Sequence, residues 1–198
     1  MKLKILLSAL AVSAAILPAS AQVFEVGPHG GVSRLSGRDI GTFTVGGVDR
    51  VTLEDGFRFG FRMTLNNWTF FGHEMGYAYN RTTLRVNSDP VEEAGTAIHQ
   101  GIYNFLAYAT PEGSRVRPFA AGGAHFSNFI FPGGSVTQGS GSNKLGINYG
   151  GGIKVRVAEQ WLIRMDVRQY LTGKPFDLPN QSGKIKQLEI SLGVSFVM

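Results

Sequence analysis

From Gly146 to Tyr170 the chain alternates apolar and polar residues with period two on both sides of a very short break. Ile147, Tyr149, Gly151, Ile153, Val155 and Val157 share one face, and Asn148, Gly150, Gly152, Lys154 and Arg156 share the other. After Ala158-Glu159-Gln160 the alternation resumes, with Trp161, Ile163, Met165 and Val167 apolar against a row of Arg164, Asp166 and Arg168. This pattern predicts an antiparallel hairpin with one apolar and one charged face. A soluble sandwich and a barrel both use such hairpins, so the rest of the chain has to decide.

Six further strands complete the reading. Val23 to Ser33 is a weak strand, and Arg34 to Asp55, with its glycines and charges, reads as a loop. Gly56 to Leu65 sets Phe57, Phe59, Phe61, Met63 and Leu65 against Arg58, Gly60, Arg62 and Thr64, and Asn66-Asn67 is expected to turn the chain. Trp68 to Asn80 puts Phe71, His73, Met75, Tyr77 and Tyr79 opposite Gly72, Glu74, Gly76, Ala78 and Asn80. Arg81 to Gly95 reads as a loop, broken at Asn87-Ser88-Asp89-Pro90. Thr96 to Ala109 is apolar on both parities around Ile102 to Leu106, and Gln100 and Asn104 mark its inward side. Pro111 to Ser114 is a turn, Val116 to Phe126 a Gly- and Ala-rich strand, Ser127 to Leu145 a Gly/Ser loop and Leu171 to Lys184 a loop. Ile185 to Phe196 sets Leu188, Ile190, Leu192, Val194 and Phe196 against Gln187, Glu189, Ser191, Gly193 and Ser195.

Counted with the hairpin, these segments give eight strands, whose connections alternate long and short. An even strand number, alternating connection length and strands of about 9–11 residues predict an all-β, eight-stranded antiparallel up-and-down barrel crossing an outer membrane. The charged rows point inward, because an Arg on the lipid side costs about 2–4 kcal/mol near the midplane.

Composition sharpens this picture. Lys2 and Lys4, an apolar run from Ile5 to Leu17 and Ala19-Ser20-Ala21 form the three parts of an export signal, so residues 1–21 are expected to be a cleaved signal peptide and 22–198 the barrel domain. Removing Lys2 and Lys4 lowers the formal charge from +5 to +3, and the remaining cations are spread along strands, which argues against a nucleic-acid partner. The chain has no cysteine, which excludes disulfides, thiolate catalysis and Cys-ligated metals. No cofactor is expected. His29, His73, His99 and His125 lie on separate strands without metal-ligand spacing, and Gly150-Gly151-Gly152 lacks the Lys-Ser/Thr of a phosphate loop.

The signal peptide, the strand rhythm, Phe119 to Gly123, Asn148 to Lys154, Trp161 to Tyr170 and the last strand together resemble the small outer-membrane β-barrel family that contains the OmpA transmembrane domain and OmpX. The resemblance covers about Val23 to Met198 and implies a place in the bacterial outer membrane. The implied partners are outer-membrane lipid and lipopolysaccharide, the barrel-assembly machinery and an extracellular ligand at the loops. That family usually ends on an aromatic residue read by the assembly machinery. Here Phe196 closes the apolar row and is followed by Val197 and Met198, so Phe196 is the candidate assembly signal.

Two kinds of chemistry follow. The inward row, Arg58, Arg62, Glu74, Lys154, Arg156, Arg164, Asp166, Arg168 and Glu189, is expected to form a charge network that fills a narrow lumen, with a narrow channel for small solutes as the alternative. His125-Phe126-Ser127-Asn128 resembles the His-x-Ser-Asn segment of outer-membrane lipid A 3-O-deacylase, which implies Ser127 as nucleophile and His125 as its base. That enzyme orients its His with a nearby Glu, whereas no Asp or Glu occurs here between His125 and Glu159, and the segment reads equally as a strand end entering a loop. The reading is therefore a non-enzymatic barrel with a structural or surface-interaction role, the loops Arg34 to Asp55 and Ser127 to Leu145 being its contact surfaces.

Overall fold

A computed structural model describes residues 23–44, 48–134 and 141–198. The signal peptide expected over 1–21 lies outside the described residues. Ten strands run in order: β1 Val23–Ser36, β2 Asp39–Thr44, β3 Val48–Leu53, β4 Gly56–Trp68, β5 Phe71–Val86, β6 Glu92–Tyr108, β7 Val116–Ile130, β8 Ser142–Ala158, β9 Trp161–Gly173 and β10 Lys184–Val197. Eight of them, β1 and β4 to β10, are staves, each paired antiparallel with the next. The sheet closes where β1 pairs with β10, from Glu25 opposite Val197 to Ser36 opposite Lys186. Closure leaves no stave with an unpaired edge, the condition for a sheet to sit in hydrocarbon.

The strands run past the boundaries the pattern suggested. β5, β6 and β8 have 16, 17 and 17 residues, more than the roughly 9–11 that span a bilayer. Strand ends take up 10 of the 15 residues of the expected loop Arg81–Gly95 and, with the end of β7, 8 of the 19 of Ser127–Leu145. The β5–β6 connection shrinks to residues 87–91, shorter than the 109–115 turn at the opposite end. Arg34–Asp55 is not a loop throughout: it carries the hairpin β2–β3, whose Val51, Thr52 and Leu53 extend the sheet beside Val86, Arg85 and Leu84 of β5. Asn66-Asn67 is strand, and the chain turns at Thr69-Phe70. Polar, glycine-rich composition hid these extensions, because a strand that has left the membrane no longer needs an apolar outer face.

Facing follows the alternation. Phe57, Phe59, Phe61, Tyr103, Tyr149, Met165 and Leu192 are exposed on the outer wall, while Gln100 and Asn104 turn inward and are buried. From Leu188 to Phe196 the outward row of β10 spans about 26 Å along the strand at roughly 3.3 Å per residue, or about 20 Å of height at a 40° tilt, close to the apolar band of a transmembrane barrel.

Inside, bulky side chains face glycines across the strand pairs. Phe119 opposes Gly152, His125 opposes Gly146, Arg168 opposes Gly150 and Arg62 opposes Gly76. A Cβ at Gly150 would lie 2.7 Å from Arg168 Cα and 3.1 Å from its Cγ, and one at Gly152 would lie 2.8 Å from the Phe119 ring. An eight-stave interior is just wide enough for side chains, so each long residue needs a small neighbour.

The loop end is roofed by apolar side chains. Leu35, Ile40, Val51, Leu53, Leu84, Ile98, Phe129 and Ile185 form one buried cluster, with Phe176 and Leu178 packed on it. Residues 174–183 are tied down by Thr42 N–H donating to Pro179 O at 3.0 Å and by the Phe176 ring edge-on to Phe131 at 4.6 Å.

Gly150→Ala is expected to destabilise the barrel by about 1–3 kcal/mol, because the added methyl overpacks against the Val167 carbonyl oxygen and Arg168. Gly101 faces open space, and Gly101→Ala should stay within about 0.5 kcal/mol. Urea unfolding of the two refolded variants, followed by tryptophan fluorescence, checks the contrast.

Candidate functional site

The lumen carries the concentration of chemistry, and the inward register of β1 and β4 to β10 builds it in layers. Below the apolar roof lies an amide layer: Gln187 Nε2 donates to Ser33 Oγ at 2.7 Å and to Asn80 Oδ1 at 2.8 Å, and Gln100 Nε2 donates to Gln187 Oε1 at 2.9 Å. Beside it, Arg58 donates to Gln100 Oε1 at 2.5 Å and to the Tyr170 hydroxyl at 3.0 Å, and its Nε lies 3.2 Å from Glu189. Tyr170 in turn donates to Glu189 at 2.7 Å.

The middle layer is ionic. Arg62 reaches Asp166 at 2.9 Å and also pairs with Glu189. Glu74 takes Arg164 at 2.6 Å and Arg168 at 2.7 Å, and Asn104 donates to it at 3.0 Å. Asp166 accepts from Arg164 at 2.8 and 2.9 Å and lies 2.9 Å from Arg168. Lower still, Lys154 Nζ pairs with Glu25 at 2.5 Å and donates to the Tyr108 hydroxyl at 2.8 Å, which donates to Asn66 Oδ1 at 2.7 Å. The Arg117 guanidinium stacks 3.6 Å over the Tyr108 ring, and that of Arg164 lies 4.6 Å from the centre of the Phe119 ring.

Eight of the nine residues expected in the charge row meet in these layers: Arg58, Arg62, Glu74, Lys154, Arg164, Asp166, Arg168 and Glu189, all buried. Arg156 does not. It sits at the turn end, a quarter exposed, donating to Glu159 O at 2.7 Å and lying 3.8 Å from Glu112, because its position on β8 lies one step below Lys154, where the barrel opens. Sequence reasoning missed Glu25, Tyr108, Arg117 and Tyr170. Glu25 shares parity with His29 and Ser33, and Tyr170 with Arg168, so the inward register was there to find them. Being single polar or aromatic residues in weak rows, they carried no charge pattern of their own.

His125 and Ser127 both point inward and are buried. His125 Nε2 bonds the Thr172 hydroxyl at 2.7 Å and its ring stands edge-on to Tyr170 at 5.2 Å, while Ser127 Oγ accepts from Gln100 at 3.0 Å. Phe196 lies on the outer wall at the turn end, its ring edge-on to Trp161 at 5.3 Å.

Chemically, the arrangement joins distant staves. Arg62 and Asp166 are 104 residues apart, and Lys154 and Glu25 are 129 apart, so the ion pairs act as struts across the interior. Breaking a buried pair by removing one partner costs about 3–5 kcal/mol. Glu74→Gln, which leaves Arg164 and Arg168 to share Asp166, should lose that much. Glu54→Gln removes the exposed partner of Arg38 at the loop end and should lose under about 1 kcal/mol. Equilibrium unfolding in urea distinguishes the two.

The same architecture occurs in solved outer-membrane proteins. OprG from Pseudomonas aeruginosa matches with a TM-score of 0.65 at 15% identity, over 90% of this chain and 96% of that one. Neisserial surface protein A matches at 0.54 and 15%, over 87% and 96%. The N-terminal β-barrel domain of Pseudomonas aeruginosa OprF matches at 0.52 and 11%, over 89% and 97%. These likenesses are of fold. No curated protein matches the sequence. A family model described as the outer membrane protein beta-barrel domain matches residues 7–196, and the chain therefore belongs to that family, a bacterial outer-membrane β-barrel.

Proposed function

We propose that the protein is a closed barrel that works as a structural or surface-interaction element of the outer membrane through its extracellular end. The observation that carries this reading is the stacking of three layers across one narrow lumen: an apolar roof, an amide and ion-pair middle, and Lys154, Tyr108, Arg117 and Phe119 below. A permeating solute would have to separate buried ion pairs and displace the roof, each a step of several kcal/mol. By the usual orientation of such barrels, the long-loop end faces outward and the termini face the periplasm. Among the described residues, the surfaces left for partners are then the strands of the β2–β3 hairpin and the connections at 131–134 and 174–183. Phe196, outward beside Trp161, is placed to serve the assembly machinery.

The non-enzymatic reading is supported by the bonding of the one candidate pair. His125 and Ser127 are engaged by Thr172 and Gln100 and, among the described residues, there is no hydrogen bond between them and no carboxylate bonded to His125. Lipid A from cells producing wild type or Ser127→Ala should carry identical acyl chains by mass spectrometry, and a Ser127-dependent loss of one chain would overturn the reading.

Refolded protein in a planar bilayer, with insertion verified by protease protection, is expected to stay electrically silent. Reproducible discrete conductance steps would replace this reading with a narrow channel lined by the arginine row.

A further inference from the structure

The ion network of the lumen does not balance. Among the described residues, Arg58, Arg62, Arg164 and Arg168 share three carboxylates, those of Glu74, Asp166 and Glu189, and all seven side chains are buried. The next acids toward the turn end are committed elsewhere, Glu25 to Lys154 and Glu112 to Arg117. An arginine keeps its proton in a protein, so the excess positive charge is permanent. A buried charge without a counter-charge is strongly destabilising, and this one calls for an anion.

One patch of the lumen wall is suited to receive it. His29 is 6% exposed, and neither ring nitrogen has a hydrogen-bond partner among the described residues. Its cross-strand partners are Gly60 on β4 and Gly193 on β10, and its neighbours on the same face of β1 are Gly27 and Gly31. Five adjoining inward positions thus project a single side chain. In either tautomer that ring has one N–H to donate. Arg62 supplies a second donor: its terminal nitrogens reach Asp166 and Glu189, but its Nε has no hydrogen-bond partner among the described residues. Glu189 joins the two residues without satisfying His29. Its Oε1 pairs with Arg62, accepts from the Ser191 hydroxyl at 2.5 Å and lies 4.0 Å from His29 Nε2, beyond hydrogen-bond reach.

We infer that the lumen holds one small monovalent anion, a halide, seated over the glycine patch against the His29 N–H and the Arg62 Nε–H. A single negative charge is what the network lacks, so a halide neutralises it where a divalent oxyanion overshoots. The inference rests on the charge count and not on closure of the lumen: an open lumen exchanges the ion with solvent, and a closed one takes it up during folding.

The test compares full-length mature protein refolded in sodium chloride, sodium bromide or sodium gluconate at equal ionic strength. A site filled at about 100-fold over its dissociation constant raises the urea midpoint by roughly 1 M, and wild type should show that rise in both halides relative to gluconate. His29→Glu places a fixed carboxylate beside the same arginines and should remove the difference, whereas a salt effect on the whole surface would persist in it. Wild-type crystals grown in bromide decide the matter independently of how that variant folds, and should show an anomalous peak within hydrogen-bond distance of His29 and Arg62. The proposal is overturned if wild type has equal midpoints in halide and gluconate, if folded His29→Glu keeps the full difference, or if bromide is found only on the protein surface.

Discussion

Eight staves enclose a space that side chains must fill, and in this protein long cations fill most of it. Every other feature of the interior follows from that constraint. Arg58, Arg62, Arg164 and Arg168 stretch across the lumen because carboxylates on other staves meet them there, and they find room because glycines stand opposite. Desolvating so many charges is costly, and their attraction offsets the cost only when nearly every donor has an acceptor. Here Gln100 Oε1 and the Tyr170 hydroxyl accept from Arg58, and Asn104 and Ser191 donate to Glu74 and Glu189, while Arg62 Nε has no hydrogen-bond partner among the described residues. Removing one carboxylate takes an acceptor from two arginines at once, so the network is cooperative by construction.

The two faces of each strand answer to different solvents, which is why much of the barrel was readable from sequence. Gly56 to Leu65 and Trp161 to Arg168 alternate cleanly, and both the strand and its facing came out as expected. Above the membrane that logic lapses. The β2–β3 hairpin and the upper ends of β5, β6 and β8 lie where both faces are wet or roofed by loop residues, and their sequence shows no period two that binary patterning detects. The roof cluster, with Ile40, Val51, Leu53, Phe129 and Phe176 drawn from four separate segments, is a tertiary fact that no local window contains.

The candidate site divides the same way. Eight charged residues of the inward row were evident from parity and sign, and the lumen gathers them. Arg156 shared their parity but not their depth, since its distance from the strand end, not its facing, decides whether it is buried. Glu25 and Tyr108 took part through a contact between β1, β6 and β8, a cross-lumen geometry that sequence spacing does not encode.

The absence of cysteine from the chain makes the proposed closure of the interior directly measurable. Ser191 faces the ion network and is buried, its hydroxyl donating to Glu189 at 2.5 Å. A single Ser191→Cys variant, refolded into proteoliposomes and treated from both sides with a charged, membrane-impermeant thiol reagent, should remain unlabelled in the folded barrel and label fully in urea. Rapid labelling of the folded protein from either side would show that water and solute reach the network, and would contradict the account of a sealed lumen.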